Sequence, residues 1–141
     1  MSLARGTTGV VRFWPNEEKI TVEIDPELVA LTRALLPPAL RTALRPQKYA
    51  PHITLVRDEP LPATSWQLSA RALILLPPDG KHVRVWYDPD PVVGEVYTWL
   101  RVFSPTLRRY RTRLGLPPSS PLTRPPDGED CFHITLGNRK T

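Results

Sequence analysis

The tetrapeptide His-Ile-Thr-Leu occurs twice in this chain, at His52–Leu55 and at His133–Leu136, and two of the three histidines lie in it. Polar and apolar residues alternate through each copy, as they do in a strand with one buried face. Residues i and i+2 of a strand project to the same side. Each copy therefore presents an imidazole and a hydroxyl together and sends its Ile and Leu to a core. Each also follows a helical segment and a proline-rich loop. Any fold for this chain has to place two such strands. If the copies face each other, they surround one cavity with an acid, a base and two hydroxyl donors.

The rest of the sequence bounds the setting. A chain of 141 residues, 40% hydrophobic, fits one compact domain spanning 1–141. No uninterrupted apolar stretch approaches a membrane span; the run Leu73-Ile74-Leu75-Leu76 ends at Pro77. The residues Met1 to Gly6 lack the apolar core of a signal peptide, so a cytoplasmic protein with no membrane partner is expected. The single Cys131 excludes an internal disulfide and agrees with a reducing compartment. A formal charge of +5, carried mostly by Arg, favours an anionic partner, because a guanidinium forks onto two phosphate oxygens. Enrichment in Arg, Pro, Ala and Leu is equally what a GC-rich genome produces. No obligate protein partner is evident, and a monomer is expected.

Local signals give an order of elements. Val10–Trp14 and Ile20–Ile24 alternate around a turn and read as a hairpin. Asp25-Pro26-Glu27 opens a helix, with an Asp cap, Pro in the first position and an acid in the first turn. Leu28, Leu31, Leu35 and Leu36 form its apolar stripe, and Pro38 starts a further turn. Trp66–Leu76 alternates as a long strand, Asp79-Gly80 is a turn signal, and His82–Tyr87 is the hairpin partner. A second helix is expected from about Gly94 to Leu114, with Val96, Leu100, Phe103, Leu107, Tyr110 and Leu114 as its stripe. Ser104-Pro105 inside it predicts a kink or a fresh start capped by Ser104, and Gly115 is a fitting stop. Leu116–Asp130 reads as an irregular loop.

With this order in place, Pro51–Val56 and Phe132–Gly137 resemble the 2H phosphoesterase superfamily, which is marked by two His-x-Thr-hydrophobic motifs. The resemblance implies an α+β fold: two lobes of antiparallel sheet with two outer helices, each motif strand central and facing a shared groove. It implies a metal-independent phosphodiesterase with no cofactor, acting on a nucleotide or RNA phosphodiester. Such substrates include a 2′,3′-cyclic phosphate, an RNA terminus, a 2′–5′ linkage or a cyclic oligonucleotide. His52 and His133 would be the acid–base pair, and Thr54 and Thr135 would anchor the phosphate. The chemistry suits these residues. A neutral imidazole serves as base and a protonated one as acid near neutral pH, while hydroxyls donate to the charged equatorial oxygens. Which histidine takes which role depends on how the substrate lies.

Further candidates surround the motifs. Tyr49, three residues before His52, is placed to stack on a base. Trp14, Trp86 and Phe132 can do the same, although strand aromatics commonly face a core. His82 has no motif around it and reads as a solvated strand-start residue. In a straight strand Arg57 points away from His52, and Arg139 shares the face of His133 only if that strand extends through it. Arg101, Arg108, Arg109, Arg111 and Arg113 lie mostly off the expected stripe and read as a solvated face. The loop before the second motif is either a lid or a plain connection. Cys131 and His133 are two apart, but the chain lacks further ligands at zinc-site spacing. The competing functions are a non-catalytic RNA-binding module of the same fold and a metal-dependent hydrolase.

Overall fold

The computed structural model describes residues 4–14, 18–57, 59, 81–118 and 132–139. Its strands are β1 (Arg5–Trp14), β2 (Lys19–Glu23), β3 (His52–Arg57), β4 (Lys81–Tyr87), β5 (Val92–Val93), β6 (Tyr97–Phe103) and β7 (Phe132–Asn138). Its helices are α1 (Pro26–Ala34), α2 (Pro38–Ala43) and α3 (Pro105–Arg113). The fold is α+β, and every ladder among the described residues is antiparallel. The expected strand at Trp66–Leu76 and the turn at Asp79-Gly80 lie outside the described residues.

Local chemistry accounts for the helix ends. The Asp25 carboxylate accepts from the Glu27 N–H at 3.0 Å, and Pro26 occupies the first turn, where its missing N–H has no partner to lose. Ser104 does the same for α3, accepting from the Leu107 N–H at 3.1 Å. Gly115 ends α3 at φ +80, a left-handed conformation that glycine adopts without steric penalty. The stripe on α1 differs from expectation: Leu31 is 60% exposed and Leu35 is 84% exposed. The inward side runs instead through Leu28, Val29 and Leu36, and it includes the half-buried Arg33.

The larger correction concerns 94–103. This segment is not the first part of a helix; it is β6 with its approach from β5. Thr98, Leu100 and Val102 are buried and alternate with Tyr97, Trp99, Arg101 and Phe103. That is a period of two, rich in aromatic and β-branched residues. The three-and-four spacing through Val96, Leu100 and Phe103 is accidental, and only the portion from Ser104 onward, with Leu107, Tyr110 and Leu114 buried, follows a helix.

The strands join into a single sheet in the order β3-β2-β1-β4-β6. β4 and β5 pair end to end along one edge of β6, and β7 pairs along the other. The described strands thus form one sheet rather than two separate ones. The long β1–β4 ladder, from Arg5–Tyr87 to Val11–Lys81, fuses the two halves and leaves β3 and β7 at the two ends of the described order. No ladder joins β3 to β7, yet they run beside each other, so the sheet curls until its ends meet. Val11, Val22, Ile53, Val85, Leu100 and Ile134 line one face of it and share an apolar core with Leu107, Tyr110 and Leu114 of the α3 region. The opposite face is left for the polar residues of the same strands. Among the described residues no helix is long and apolar enough to cross a membrane.

Candidate active site on the polar face of the sheet

Cross-strand partners point to the same face, so the registers show what surrounds each motif. His52 lies across from Glu23, and Thr54 across from Thr21. The row continues from Glu23 to Val10 and His82, and from Thr21 to Arg12. At the other end, His133 lies across from Arg101 and Thr135 across from Trp99. Phe103, on the same side of β6, pairs with Trp86. One continuous face therefore carries all three histidines, both motif threonines, Arg12, Arg84 and Arg101, and three tryptophans.

Both motif strands break register at the same place. Thr54 pairs with Thr21 and Val56 with Ile20, leaving Leu55 as an extra residue. Thr135 pairs with Trp99 and Gly137 with Thr98, leaving Leu136 as an extra residue. Each is a β-bulge at the fourth residue of the tetrapeptide. A bulge lets two successive residues turn inward and bends the strand beside the side chains it re-aims. Leu55 with Val56, and Leu136 with Gly137, are accordingly buried in pairs. The bulge also reverses the expected direction of Arg57, which pairs with Lys19 and so joins the His52 face. In β7 the corresponding position is Asn138, where the strand ends, so Arg139 is not carried along the His133 face.

The two motif strands lie side by side, and each carries its imidazole on the polar face. His133 is pulled down from 6.5 to about 4, first because burial disfavours its charged form and second because His52 opposes a second positive charge nearby. His52 is held by its own loop: its Nδ1 lies 2.9 Å from the Ala50 carbonyl oxygen. A carbonyl can only accept, so Nδ1 carries the hydrogen and Nε2 is the nitrogen left for chemistry. Thr54 is buried and Thr135 half-buried, each on the side of its histidine.

The other candidates divide. Tyr49 is 71% exposed, on the loop that leads into β3. Trp14 and Trp86 are surface aromatics on the histidine face, with Lys19 and Arg84 respectively over their rings at 5.3 and 5.2 Å. Phe132 is core. Arg101 belongs to β6 and bonds Asp88 at 3.0 Å. Arg111 does not lie on a solvated face: it is fully buried, forked onto Glu59 with both contacts at 2.6 Å. Among the described residues no three His, Cys, Asp or Glu side chains form a metal-binding group, and Cys131 lies outside them. Sequence reasoning missed Glu23, Thr21, Arg12 and Trp99 as neighbours of the motifs. Their alternation was visible, but which strand lies beside which was not. No family model, curated protein or solved structure matches this chain.

Proposed function

We propose that the chain is a metal-independent phosphodiesterase of the 2H type, acting on a nucleotide or RNA phosphodiester. The observation that carries this reading is the equivalence of the two motifs. Both have the same bulge at the same residue, both put His and Thr on one sheet face, and their imidazoles are close enough to oppose each other's charge. Ordinary structural strands have no need for such a match.

The electrostatics also support a division of roles. His133 stays neutral at any pH well above 4 and is the general base. It takes a proton from the attacking water as the water oxygen bonds to phosphorus. The bond from phosphorus to the departing ribose oxygen breaks, and His52, in its protonated form, delivers its Nε2 proton to that oxygen. Exchange with solvent resets the pair. Thr54 and Thr135 donate to the non-bridging oxygens, whose negative charge grows in the transition state. Arg57 adds a positive charge on the same face, where Arg12 is paired with Glu23 at 3.2 Å.

The deciding experiment is a screen of purified protein in EDTA against 2′,3′-cyclic nucleotides, 2′–5′ oligomers and cyclic dinucleotides. Turnover that disappears in His52→Ala and in His133→Ala is the expected result. Turnover lost in EDTA and restored by a divalent metal would point to a metal-dependent hydrolase instead. A second reading, a non-catalytic RNA-binding module, is favoured by Trp14 and Trp86, which are 40% and 44% exposed on the histidine face under cationic partners. RNA affinity without turnover of any substrate would select it.

A further inference from the structure

The bulged leucines have their backbone groups outside the regular ladder, and a buried carbonyl needs a donor. In both motifs the donor is an arginine from a helix. Arg33 of α1 donates from Nη1 to the Leu136 carbonyl at 2.6 Å and from Nη2 to the Leu44 carbonyl at 3.0 Å. Arg111 of α3 donates from Nη1 to the Leu55 carbonyl at 2.7 Å and from Nε to the Pro117 carbonyl at 2.7 Å. The pattern is similar in both: one guanidinium joins the bulge to a carbonyl further along the chain, Leu44 at the end of α2 for Arg33 and Pro117 just past α3 for Arg111. The two connections are also crossed. The helix preceding the first motif holds the second, and the helix preceding the second holds the first.

We propose that Arg33 and Arg111 are positioning residues of this site, each fixing the bulge that aims one His–Thr pair. The proposal rests on the reading of His52, Thr54, His133 and Thr135 as the reacting groups. Its logic is that of register. Side chains in a strand alternate, so slipping by one residue to absorb the bulge exchanges the groove face for the core face. A charge-assisted bond to the extra residue's carbonyl opposes that slip, and a planar fork with two anchored donors does so directionally.

Gly137 gives independent support. A Cβ there would lie 2.5 Å from Arg33 Nη1 and 2.7 Å from the Arg45 carbonyl oxygen. The residue after the bulge is therefore one that leaves room for the guanidinium to reach Leu136. The Arg45 backbone closes the same corner, exchanging hydrogen bonds with Asn138 at 2.7 and 3.0 Å.

The test uses Arg33, because fully buried Arg111 also carries the Glu59 ion pair and its loss endangers folding. Arg33→Met, Arg33→Lys and Gly137→Ala are prepared, with Arg111→Lys as the counterpart that keeps a charge for Glu59. The His52 and His133 ring resonances are followed by NMR through their titrations, and kcat and KM are measured on the best substrate. Arg33→Met and Gly137→Ala should shift the His133 resonances and raise its titration from about 4 toward the ordinary 6.5, leaving His52 less affected. kcat should fall about tenfold to a hundredfold with KM little changed, as for misplaced rather than missing groups. Arg33→Lys, which retains a donor, should recover part of both losses. Arg111→Lys should move His52 rather than His133. A purely structural role predicts lower thermal midpoints with unaltered histidine titrations and kcat, and that result overturns the proposal. If no phosphodiester is turned over, the proposed function fails, and the ring titrations alone still decide whether the arginines position the site.

Discussion

The two His-Ile-Thr-Leu strands share four residues and one bulge, but their surroundings differ. β3 has Glu23 across from its histidine, and that imidazole is tied to the Ala50 carbonyl. β7 has Arg101 across from its histidine, and burial there keeps the imidazole neutral down to about pH 4. Thr54 is the more enclosed hydroxyl, Thr135 the more open one. Identical side chains thus acquire unequal properties from the strand beside them. For acid–base work inequality is the useful condition, since one group has to give a proton while the other takes one.

The largest expected effect tests whether the copies are equivalent in need. His52→Ala and His133→Ala should each lower kcat/KM by about 10²–10⁴-fold with the fold retained, a full loss of one partner's proton transfer. Steady-state kinetics on the best substrate checks this, and a near-normal rate in either variant breaks the pairing. The pH profile sharpens it. In the wild type kcat/KM should rise through an acid limb near pH 4 as His133 loses its proton, and that limb should vanish in His133→Ala.

Stability should show the same asymmetry. His133 is lowered from 6.5 to about 4 in the folded state, so between those values the unfolded chain binds the extra proton. The contribution is complete above pH 6.5 and is lost as the pH falls toward 4, amounting to at most about 3 kcal/mol. Thermal midpoints measured across that window should drop in the wild type and drop less in His133→Gln. An equal drop in both proteins would assign the acid sensitivity to other groups.

The threonines come next. A hydrogen bond to a charged group contributes about 1.5–3 kcal/mol, so Thr54→Val and Thr135→Val should each reduce kcat/KM by roughly ten- to a hundredfold. Thermal midpoints should hardly change, because valine keeps the branched shape. A changed midpoint with intact activity would mean strand packing instead of phosphate anchoring. The smallest effects are at the helix starts. Ser104→Ala, at a buried cap, should destabilise by about 1–2 kcal/mol, and Asp25→Ala, at an exposed one, by about 0.5–1 kcal/mol. Denaturant titration of both would show whether the two halves respond unequally here as well.

Much of the frame was legible from local chemistry. Hairpin β1–β2, both motif strands, the Asp25 and Ser104 caps and the Gly115 stop each follow from a few neighbouring residues. β6 was misread because one segment satisfied two periodicities, and only its partners β4, β5 and β7 decide between them. The bulges were illegible for a related reason, since an extra residue exists only relative to the strand opposite. Arg111 reads in the sequence as a solvent-facing charge on a helix, and nothing local singles out Arg33. Their inward direction depends on carbonyls far away in sequence that no local pattern announces. The low value at His133 likewise follows from packing, which the tetrapeptide, identical at 52 and 133, does not encode.

The crossed arginines also bear on how the molecule comes into being. Arg33 and Leu136 are 103 residues apart and Arg111 and Leu55 are 56 apart, so both contacts close long loops. Loop closure is entropically opposed until the ends are held, and chains rich in such distant contacts fold slowly. During synthesis the first motif is made well before α3 can reach it, and Arg33 of α1 waits for a partner made 103 residues later. A refolding experiment should therefore regain activity in a single late phase coincident with β7 docking, with no earlier half-active species, because neither motif is aimed until the opposite half of the chain has arrived.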